Sequence, residues 1–383
     1  MNWTKTIIIL FLLCLSSSAL ILASNTKDFK YVVFFFVCLT MAAVAYAPKK
    51  WALTFPLLVT LLSILAVELF LPILQRPNAF IDPTSEYGSM AHTRVRSGFG
   101  YQPVPGSYGS KKILRNGETV YDVTYTIGSD GYRWEEDQTK YDSKLFGGSF
   151  VFGEGLNDNE TLSHFLTTNH NFKTKNLGVY GYGLQQALYY LENAADQPKT
   201  EYNILLTAPW HALRSSCKPS YSLGTPKYSM NSDGTVYYDG VCKVEDHFIT
   251  RILKKSELFQ LLQIALGNKS NTIEKTDLDL YLAIITKIHN ISLSRDTKLL
   301  VAFIGSTEEE LMVSGFTNNK LMEELKSRTD ILVDVTLAEK RELLDNRFVI
   351  HIDDQHPSAE ANRVRAKIIM EAVNNHRLGH GVD

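Results

Sequence analysis

Two kinds of hydrophobic pattern divide the chain. Within the first 74 residues the apolar positions form three long continuous runs, over residues 6–23, 31–47 and 51–74. From residue 143 onward, short apolar runs alternate with stretches in which apolar residues recur at the helical period. Long runs are typical of membrane-spanning helices, whereas the alternating pattern is typical of a globular α/β domain. The pattern therefore predicts a membrane part followed by a globular part.

Each long run is sufficient to cross a bilayer as a helix, because roughly 17 to 25 residues span hydrocarbon about 30 Å thick. We therefore predict a three-helix transmembrane region over residues 1–76. A cleaved signal peptide is the alternative for the first run, since Lys5 precedes it and the small residues Ala23 and Ser24 end it. The flanking basic residues are nearly balanced between the two sides, so the positive-inside rule does not orient these spans.

The globular part begins with a lead-in, residues 77–142, that is rich in Gly, Tyr and turn residues and is expected to form loops and short strands. The domain proper is predicted over residues 143–383. Its short apolar runs predict buried strands, over residues 144–150, 175–180, 202–208, 298–304, 331–335 and 348–352. Strands of this kind that alternate with helices indicate an α/β sandwich with a parallel sheet. In such sheets, sites form at the carboxyl ends of the strands.

Composition narrows the function classes. Residues 1–74 carry only seven of the 80 charged residues, so the rest of the chain has the charge density of a soluble domain. With 45% hydrophobic residues and four cysteines, the chain is neither disordered nor a disulfide-dense miniprotein. The formal net charge of −2, without a basic excess in the globular part, argues against a nucleic-acid partner. Since the histidines are scattered and form no Cys/His cluster, neither a metal nor a cofactor is expected.

Cys217 and Cys242 lie near the two ends of a predicted insert at residues 215–245, and the 24 residues between them contain the hairpin turn signal Asp233-Gly234. As the sole cysteine pair of the globular part they predict a disulfide; two free thiols are the alternative. A disulfide indicates an oxidising compartment. We therefore expect a cytoplasmic N-terminus, spans in a bacterial inner membrane and a domain in the periplasm.

The first predicted strand ends in Gly147-Gly148-Ser149. Two glycines before a serine allow a sharp turn that presents the hydroxyl, and Gly153 and Gly155 after it permit a substrate to approach backbone N–H groups. A glycine-rich turn without a catalytic role is the alternative. The segment is not a phosphate loop, because the Gly-Lys-Ser/Thr ending is missing.

A second block, Asp353-Asp354-Gln355-His356-Pro357, follows the last predicted strand. A nucleophilic serine needs a base to remove its proton, and the base needs a carboxylate that fixes its tautomer. Asp and His within one turn supply both groups. The alternative is an exposed histidine near a helix N-terminus, with solvated Asp neighbours.

Between these blocks, residues 176–186 contain Gly178 within the predicted strand 175–180, and Gly181 and Gly183 directly after it. Together and in this order, the three blocks resemble the SGNH (GDSL-like) hydrolase and acyltransferase superfamily over residues 143–374. The resemblance implies a flavodoxin-like α/β/α sandwich with a parallel sheet.

The resemblance also implies roles for individual residues. Ser149 matches the nucleophile, and its N–H would form an oxyanion hole with the N–H of Gly181. His356 matches the base, and an Asp two or three residues before it matches the residue that orients the base. Asp354 is favoured over Asp353, because it gives the Asp-x-His-Pro form of membrane-anchored members.

Two positions depart from the family pattern. Gly148 stands where the family often has Asp. After the predicted strand at residues 203–207 the Gly-x-Asn of the third block is missing, and Trp210 or His211 stands in that region. Either residue could supply the third oxyanion donor, or the donor is absent.

The function that the resemblance implies is that of a membrane-anchored serine esterase or O-acyltransferase. Its substrate would be an acylated, in particular O-acetylated, glycan or envelope polysaccharide, or an acylated small molecule. A membrane-bound acyl-transferring partner would join it in the transfer direction, and the bilayer itself is expected to be a partner. The alternative is a non-catalytic glycan-binding or assembly subunit that holds polymer on aromatic residues such as Trp210, Tyr180 and Tyr182.

Overall fold

The computed structural model describes residues 93–114, 117–135, 140–193, 198–243, 272–337, 346–352 and 354–379. The predicted transmembrane region at residues 1–76 and Asp353 lie outside these ranges. Within them, no helix combines the length and apolar character that a membrane span requires.

The described part of the chain starts with two antiparallel hairpins. Strand β1 (Thr93–Arg96) pairs with β2 (Gly100–Pro103), and β3 (Gly106–Ile113) pairs with β4 (Thr119–Ile127). The elements that follow are, in chain order, β5 (Ser143–Phe146), α1 (Ser149–Phe152), α2 (Leu162–His170), β6 (Thr174–Asn176), α3 (Leu184–Asn193), β7 (Tyr202–Thr207), α4 (His211–Ser215), β8 (Pro226–Met230), β9 (Val236–Val241), α5 (Lys275–Ser294), β10 (Lys298–Phe303), α6 (Glu308–Leu311), α7 (Asn318–Lys326), β11 (Ile331–Asp334) and α8 (Ala359–Arg377).

Five of these strands form one parallel sheet in the order β6-β5-β7-β10-β11. Numbered along the chain, this is the order 2-1-3-4-5 of flavodoxin-like doubly wound sheets. The prediction of an α/β fold with a parallel sheet is therefore confirmed. In this topology the strand order reverses between β5 and β7, which opens a crevice at their carboxyl ends.

Helices cover both faces of the sheet, and the central strand β7 carries apolar side chains on both faces. On β7, Ile204 and Leu206 belong to a core that includes residues of α2 and α8, whereas Leu205 belongs to a second core with residues of α3 and α5. All six residues of β7 are buried. Since neither face of this strand meets water, its continuous apolar run is what a central parallel strand requires.

The predicted strand at residues 348–352 does not join the sheet. Val349 makes only an isolated antiparallel bridge with Pro357. The N–H of Ile350 donates to the carbonyl of His356 at 2.8 Å, and the N–H of Ser358 donates to the carbonyl of Phe348 at 3.0 Å. The backbone of this segment makes its hydrogen bonds within its own loop and not with a neighbouring strand of the sheet. The prediction of a sheet strand at residues 348–352 is therefore wrong.

The insert after α4 contains the antiparallel hairpin β8–β9, which turns at the predicted Asp233-Gly234 position. A disulfide joins Cys217 to Cys242, with 5.5 Å between their Cα atoms. The prediction of this pairing is confirmed. The hairpin is attached to the helices through Tyr228, whose hydroxyl donates to Glu192 of α3.

Candidate active site

Ser149 is the first residue of α1 and follows the central strand β5 through Gly147 and Gly148. A Cβ atom on Gly147 would lie 2.5 Å from Val151 Cγ2, and a Cβ atom on Gly148 would lie 2.5 Å from Arg214 Nη1 and 3.0 Å from Tyr182 O. A side chain at either position would therefore clash with packed neighbours. The turn brings Ser149, which is 9% exposed, to the crevice between β5 and β7.

The turn that contains Gly181 lies against strand β2 of the lead-in. The Tyr101 hydroxyl of β2 donates to the Tyr180 carbonyl at 2.8 Å, and the Tyr182 hydroxyl donates back to the Tyr101 carbonyl at 2.5 Å. Gly181 has a φ of 75°, and a Cβ atom there would lie 2.2 Å from the Tyr101 hydroxyl. The turn therefore requires glycine for both its backbone conformation and its close contact with the lead-in.

The backbone N–H groups of Ser149 and Gly181 are the predicted oxyanion donors. In the described part of the chain, neither group donates a hydrogen bond to a protein acceptor. An oxyanion donor requires an N–H group without a protein acceptor. That the two groups bind an oxyanion in a reaction stays a prediction.

His356 and Asp354 form a hydrogen-bonded pair in the loop before α8. Imidazole Nδ1 bonds to the Oδ1 of Asp354, which also accepts the backbone N–H of His356 at 3.2 Å. Gln355 between them has a φ of 62°, a conformation unfavourable for a residue with a side chain. This turn allows two side chains only two residues apart to face each other.

The lead-in hairpin supplies a third member of this group. Lys112 Nζ of β3 lies 2.5 Å from the second carboxylate oxygen of Asp354. The Asp354 side chain is fully buried, and that of Lys112 is 24% exposed. Burial alone would raise the pKa of Asp354, but the hydrogen bond and charge of His356, together with Lys112, hold this pKa well below its usual range. Asp354 is therefore a carboxylate at neutral pH.

His356 approaches the Ser149 segment from the side. Its ring stands edge-on to the ring of Phe150, the residue after Ser149, with 5.5 Å between the ring centroids. Its Nε2 lies 3.5 Å from Oε2 of Glu154. Burial lowers the pKa of His356, but the charge of Glu154 and then the hydrogen bond and charge of Asp354 outweigh burial and raise it above its ordinary value.

The crevice itself is small. Its lining includes Ser149, Phe150, Trp210, His211 and Arg214. Its volume is about 10 Å³, which is room for about one water-sized group. Any larger substrate would therefore lie mostly outside it.

His211 follows β7, in the region where the sequence lacks the Gly-x-Asn of the third family block. Its backbone N–H is already bonded to the Ala208 carbonyl at 2.9 Å, so only its side chain is left to act. Nδ1 lies 3.1 Å from the hydroxyl of Thr207. Burial, and then the nearby charge of Arg214, hold the pKa of His211 well below its usual range. This histidine therefore lines the crevice as a neutral imidazole.

The structure thus brings Ser149, Gly181, His356 and Asp354 to one end of the sheet. Sequence reasoning missed Lys112 and Glu154. Glu154 had a local signal, because it lies between two glycines directly after the serine block. Lys112 had no local sequence signal, because a lysine in a strand of alternating polar and apolar residues has the pattern of a solvent-exposed side chain.

No protein-family model and no curated protein sequence matches this chain. Among solved structures, it is similar to a protein of Desulfitobacterium hafniense DCB-2 described as belonging to the G-D-S-L lipolytic family. The identity is 12%, the TM-score is 0.34, and the match covers 60% of this chain and 99% of that one.

It is also similar to the psychrotrophic esterase EstA of Pseudoalteromonas sp., with 12% identity, a TM-score of 0.33 and coverage of 62% and 99%. A third similar structure is the acetyl xylan esterase Est2A of Butyrivibrio proteoclasticus, with 12% identity, a TM-score of 0.34 and coverage of 66% and 67%. At such low identity and superposition, these activities describe those proteins alone.

Proposed function

We propose that this chain is an SGNH-type serine esterase, or an O-acyltransferase of the same mechanism, that acts on a short acyl ester of a glycan. One observation carries the proposal. Ser149 lies on a glycine turn at the point where the strand order reverses, and the Asp354–His356 pair packs against the next residue, Phe150. Ligands bind at this position in open α/β sheets.

In the proposed reaction, His356 Nε2 takes the hydroxyl proton of Ser149 while Oγ attacks the ester carbonyl carbon. The N–H groups of Ser149 and Gly181 stabilise the negative charge on the carbonyl oxygen. The bond to the leaving alcohol then breaks, the alcohol takes the proton from His356, and the acyl group stays on Oγ. Water or a glycan hydroxyl then attacks the acyl-enzyme in the same way, with His356 as the base. Ser149 is restored, and a carboxylic acid or a new ester is released.

Asp354 acts through His356. Its carboxylate accepts a hydrogen bond from Nδ1–H, which fixes the tautomer so that Nε2 is the atom that accepts the proton of Ser149. The same charge stabilises the imidazolium that forms during attack. Lys112 holds the other carboxylate oxygen and so keeps this side chain ionised and in place.

The crevice favours a short acyl group. The space next to Ser149 is about 10 Å³, which is room for about one water-sized group and not for a long chain, so we propose a short acyl group such as acetyl. The alcohol part would then lie over Tyr221, which is 43% exposed and whose hydroxyl accepts a hydrogen bond from Arg214 Nε at 3.3 Å. An exposed tyrosine ring beside the crevice supports a sugar as the alcohol.

The anchoring of the domain is part of the same proposal. The disulfide between Cys217 and Cys242 supports a domain in an oxidising compartment, and the apolar runs of residues 1–76 support three spans. We propose a multi-pass protein of a bacterial inner membrane with this domain in the periplasm. In the transfer direction, a membrane-bound partner would deliver the acyl group.

A fluorophosphonate probe, which reacts with activated serines, tests the proposal on the full-length chain. We expect labelling of the wild type and of Ser229→Ala, and loss of labelling in Ser149→Ala. Ser229 is a suitable control because it lies on the β8–β9 hairpin. Acetate release from an O-acetylated polysaccharide should follow the labelling. A folded wild type that neither takes the probe nor releases acetate would instead support the non-catalytic glycan-binding subunit.

A further inference from the structure

The imidazole of His356 lies between two carboxylates. Asp354 bonds to Nδ1, and Glu154 Oε2 lies 3.5 Å from Nε2. The second contact is unexpected, because Nε2 is the atom that must accept the proton of Ser149 in the proposed reaction. Both carboxylates are largely removed from water, with side chains 0% and 15% exposed.

Backbone hydrogen bonds on both sides of Glu154 fix the position of its main chain. Its backbone N–H donates to the Ser149 carbonyl at 3.1 Å. The N–H of Gly155 donates to the Tyr125 hydroxyl of β4 at 2.8 Å. These bonds hold the backbone of Glu154 next to the serine turn and the lead-in hairpin. The side chain therefore starts from a fixed point within reach of His356.

We propose that Glu154 is a positioning residue that keeps the Nε2 proton on His356 in the free enzyme, so that the base becomes available only when this proton is lost. The inference rests on the proposed function, because it concerns the base of the same reaction. Glu154 acts through the imidazole and is not assigned a contact with substrate.

The charged groups around the ring support this role. Asp354 faces the ring from its own loop, Glu154 from the turn after α1, and Lys112 of β3 lies behind Asp354. Two anions thus act on the imidazole against one cation. Burial lowers the pKa of His356, but Glu154 is the largest contribution in the opposite direction, and the net pKa is raised.

Glu154 has a consequence for each stage of the reaction. In the free enzyme it favours the imidazolium, which is unable to take a proton from Ser149. During attack, when His356 becomes an imidazolium, the same carboxylate stabilises that charge. The side chain therefore moves the onset of activity to higher pH and makes the base stronger once it is deprotonated.

The test is the titration of His356 by NMR in the full-length chain with labelled histidine, assigned with a His356→Gln variant. In the wild type we expect a midpoint above the ordinary value of about 6.5. In Glu154→Gln we expect the midpoint to fall by roughly one pH unit, because an opposite charge at this distance favours the charged form by that much or more. The midpoint pH of the acidic limb of the kcat/KM profile for an acetyl ester should fall by the same amount.

Glu118→Gln is the matched control. Glu118 lies 3.2 Å from Nε2 of His351, so its substitution removes the same charge beside another histidine of the loop. We expect the His356 midpoint to stay in place in this variant. Glu154→Asp keeps the negative charge but places it further from His356, because the side chain is shorter. It should give an intermediate midpoint and replaces Glu154→Gln in the test if that variant does not fold.

Two results would overturn the inference: a wild-type midpoint at or below about 6.5, or a midpoint that Glu154→Gln leaves unchanged. The titration needs no turnover, so it decides the role of Glu154 even if Ser149 proves not to be a nucleophile. Conversely, esterase activity with an unmoved midpoint would remove only Glu154 from the scheme.

Discussion

Lys112→Met tests whether the lead-in hairpin stabilises the loop that carries Asp354 and His356. The substitution keeps the length of the side chain and removes its charge. Lys112 Nζ lies 2.5 Å from Asp354 Oδ2, and Asp354 is fully buried. Coulomb's law gives roughly 7 kcal/mol of attraction at an effective dielectric constant of 20, most of which offsets the desolvation of the two groups.

Removal of one partner of a buried ion pair costs about 3 to 5 kcal/mol. The cost should be smaller here, because Lys112 is 24% exposed and Asp354 keeps its bond to His356. We therefore expect a loss of about 2 kcal/mol in the free energy of unfolding. For a domain of this size, that corresponds to a fall in Tm of roughly 4 to 8 °C.

The assay is thermal unfolding of the full-length chain at pH 7, followed by circular dichroism. The folded-state pKa of Asp354 is lowered, so its contribution is present above the unfolded value of about 3.9 and is lost as the pH falls through the folded-state value. The difference between wild type and variant should therefore be complete at pH 7 and shrink only in strong acid.

Lys111→Met is the control for this experiment. Lys111 Nζ lies 2.8 Å from Asp122 within the hairpin, but the two side chains are 42% and 61% exposed. A surface pair of this kind contributes at most about 1 kcal/mol. If Lys112→Met lowers the Tm no more than Lys111→Met does, the hairpin does not stabilise the Asp354 loop through this contact.

Three further predictions concern the serine turn, the base and the insert. Ser149→Ala and His356→Ala should each lower acetyl-ester hydrolysis by about 10⁴-fold or more, and the double variant should be little worse, because the two residues act as a unit; additive losses in kcat/KM would contradict this. Gly148→Ala should lower kcat/KM by at least about tenfold without unfolding the protein, since its Cβ would lie 3.0 Å from the Tyr182 carbonyl oxygen and would displace the Arg214 guanidinium that bonds to this carbonyl; unchanged kinetics would show that the turn adapts. Thiol labelling of unreduced protein taken from cells should leave Cys217 and Cys242 unmodified, and their reduction should cost about 3.5 kcal/mol of stability for a separation of 25 residues; labelling of both would refute the pairing in the cell.

The central sheet could be predicted from the sequence because burial on both faces imposes a local pattern. The runs that became β7 and β10 are continuous and apolar, and in the structure they are neighbours in parallel register. The same criterion failed at residues 348–352, a loop that pairs with itself, in which Val349 is buried but Ile352 is exposed. Apolar composition reports burial, but it does not specify the hydrogen-bond partner of a strand.

The candidate site could be predicted in part. Ser149 and His356 lie in short local blocks, and the chemistry of a nucleophile and a base limits the residue types. Lys112 could not be found this way, because its contact with Asp354 joins positions 242 residues apart and depends on how a hairpin packs on a loop. Glu154 and His356 are likewise brought together only by the fold.

The contact between Lys112 and Asp354 also has a consequence for synthesis on the ribosome. At about 5 to 20 residues per second, the 242 residues between them take roughly 12 to 50 s to translate. During this interval the nascent chain already carries Ser149 and its glycine turn, but not the histidine that would activate it. Under the proposed mechanism, nascent chains should be inert toward esters until His356 has emerged. A stalled chain that ends before this loop would carry Ser149 without its base.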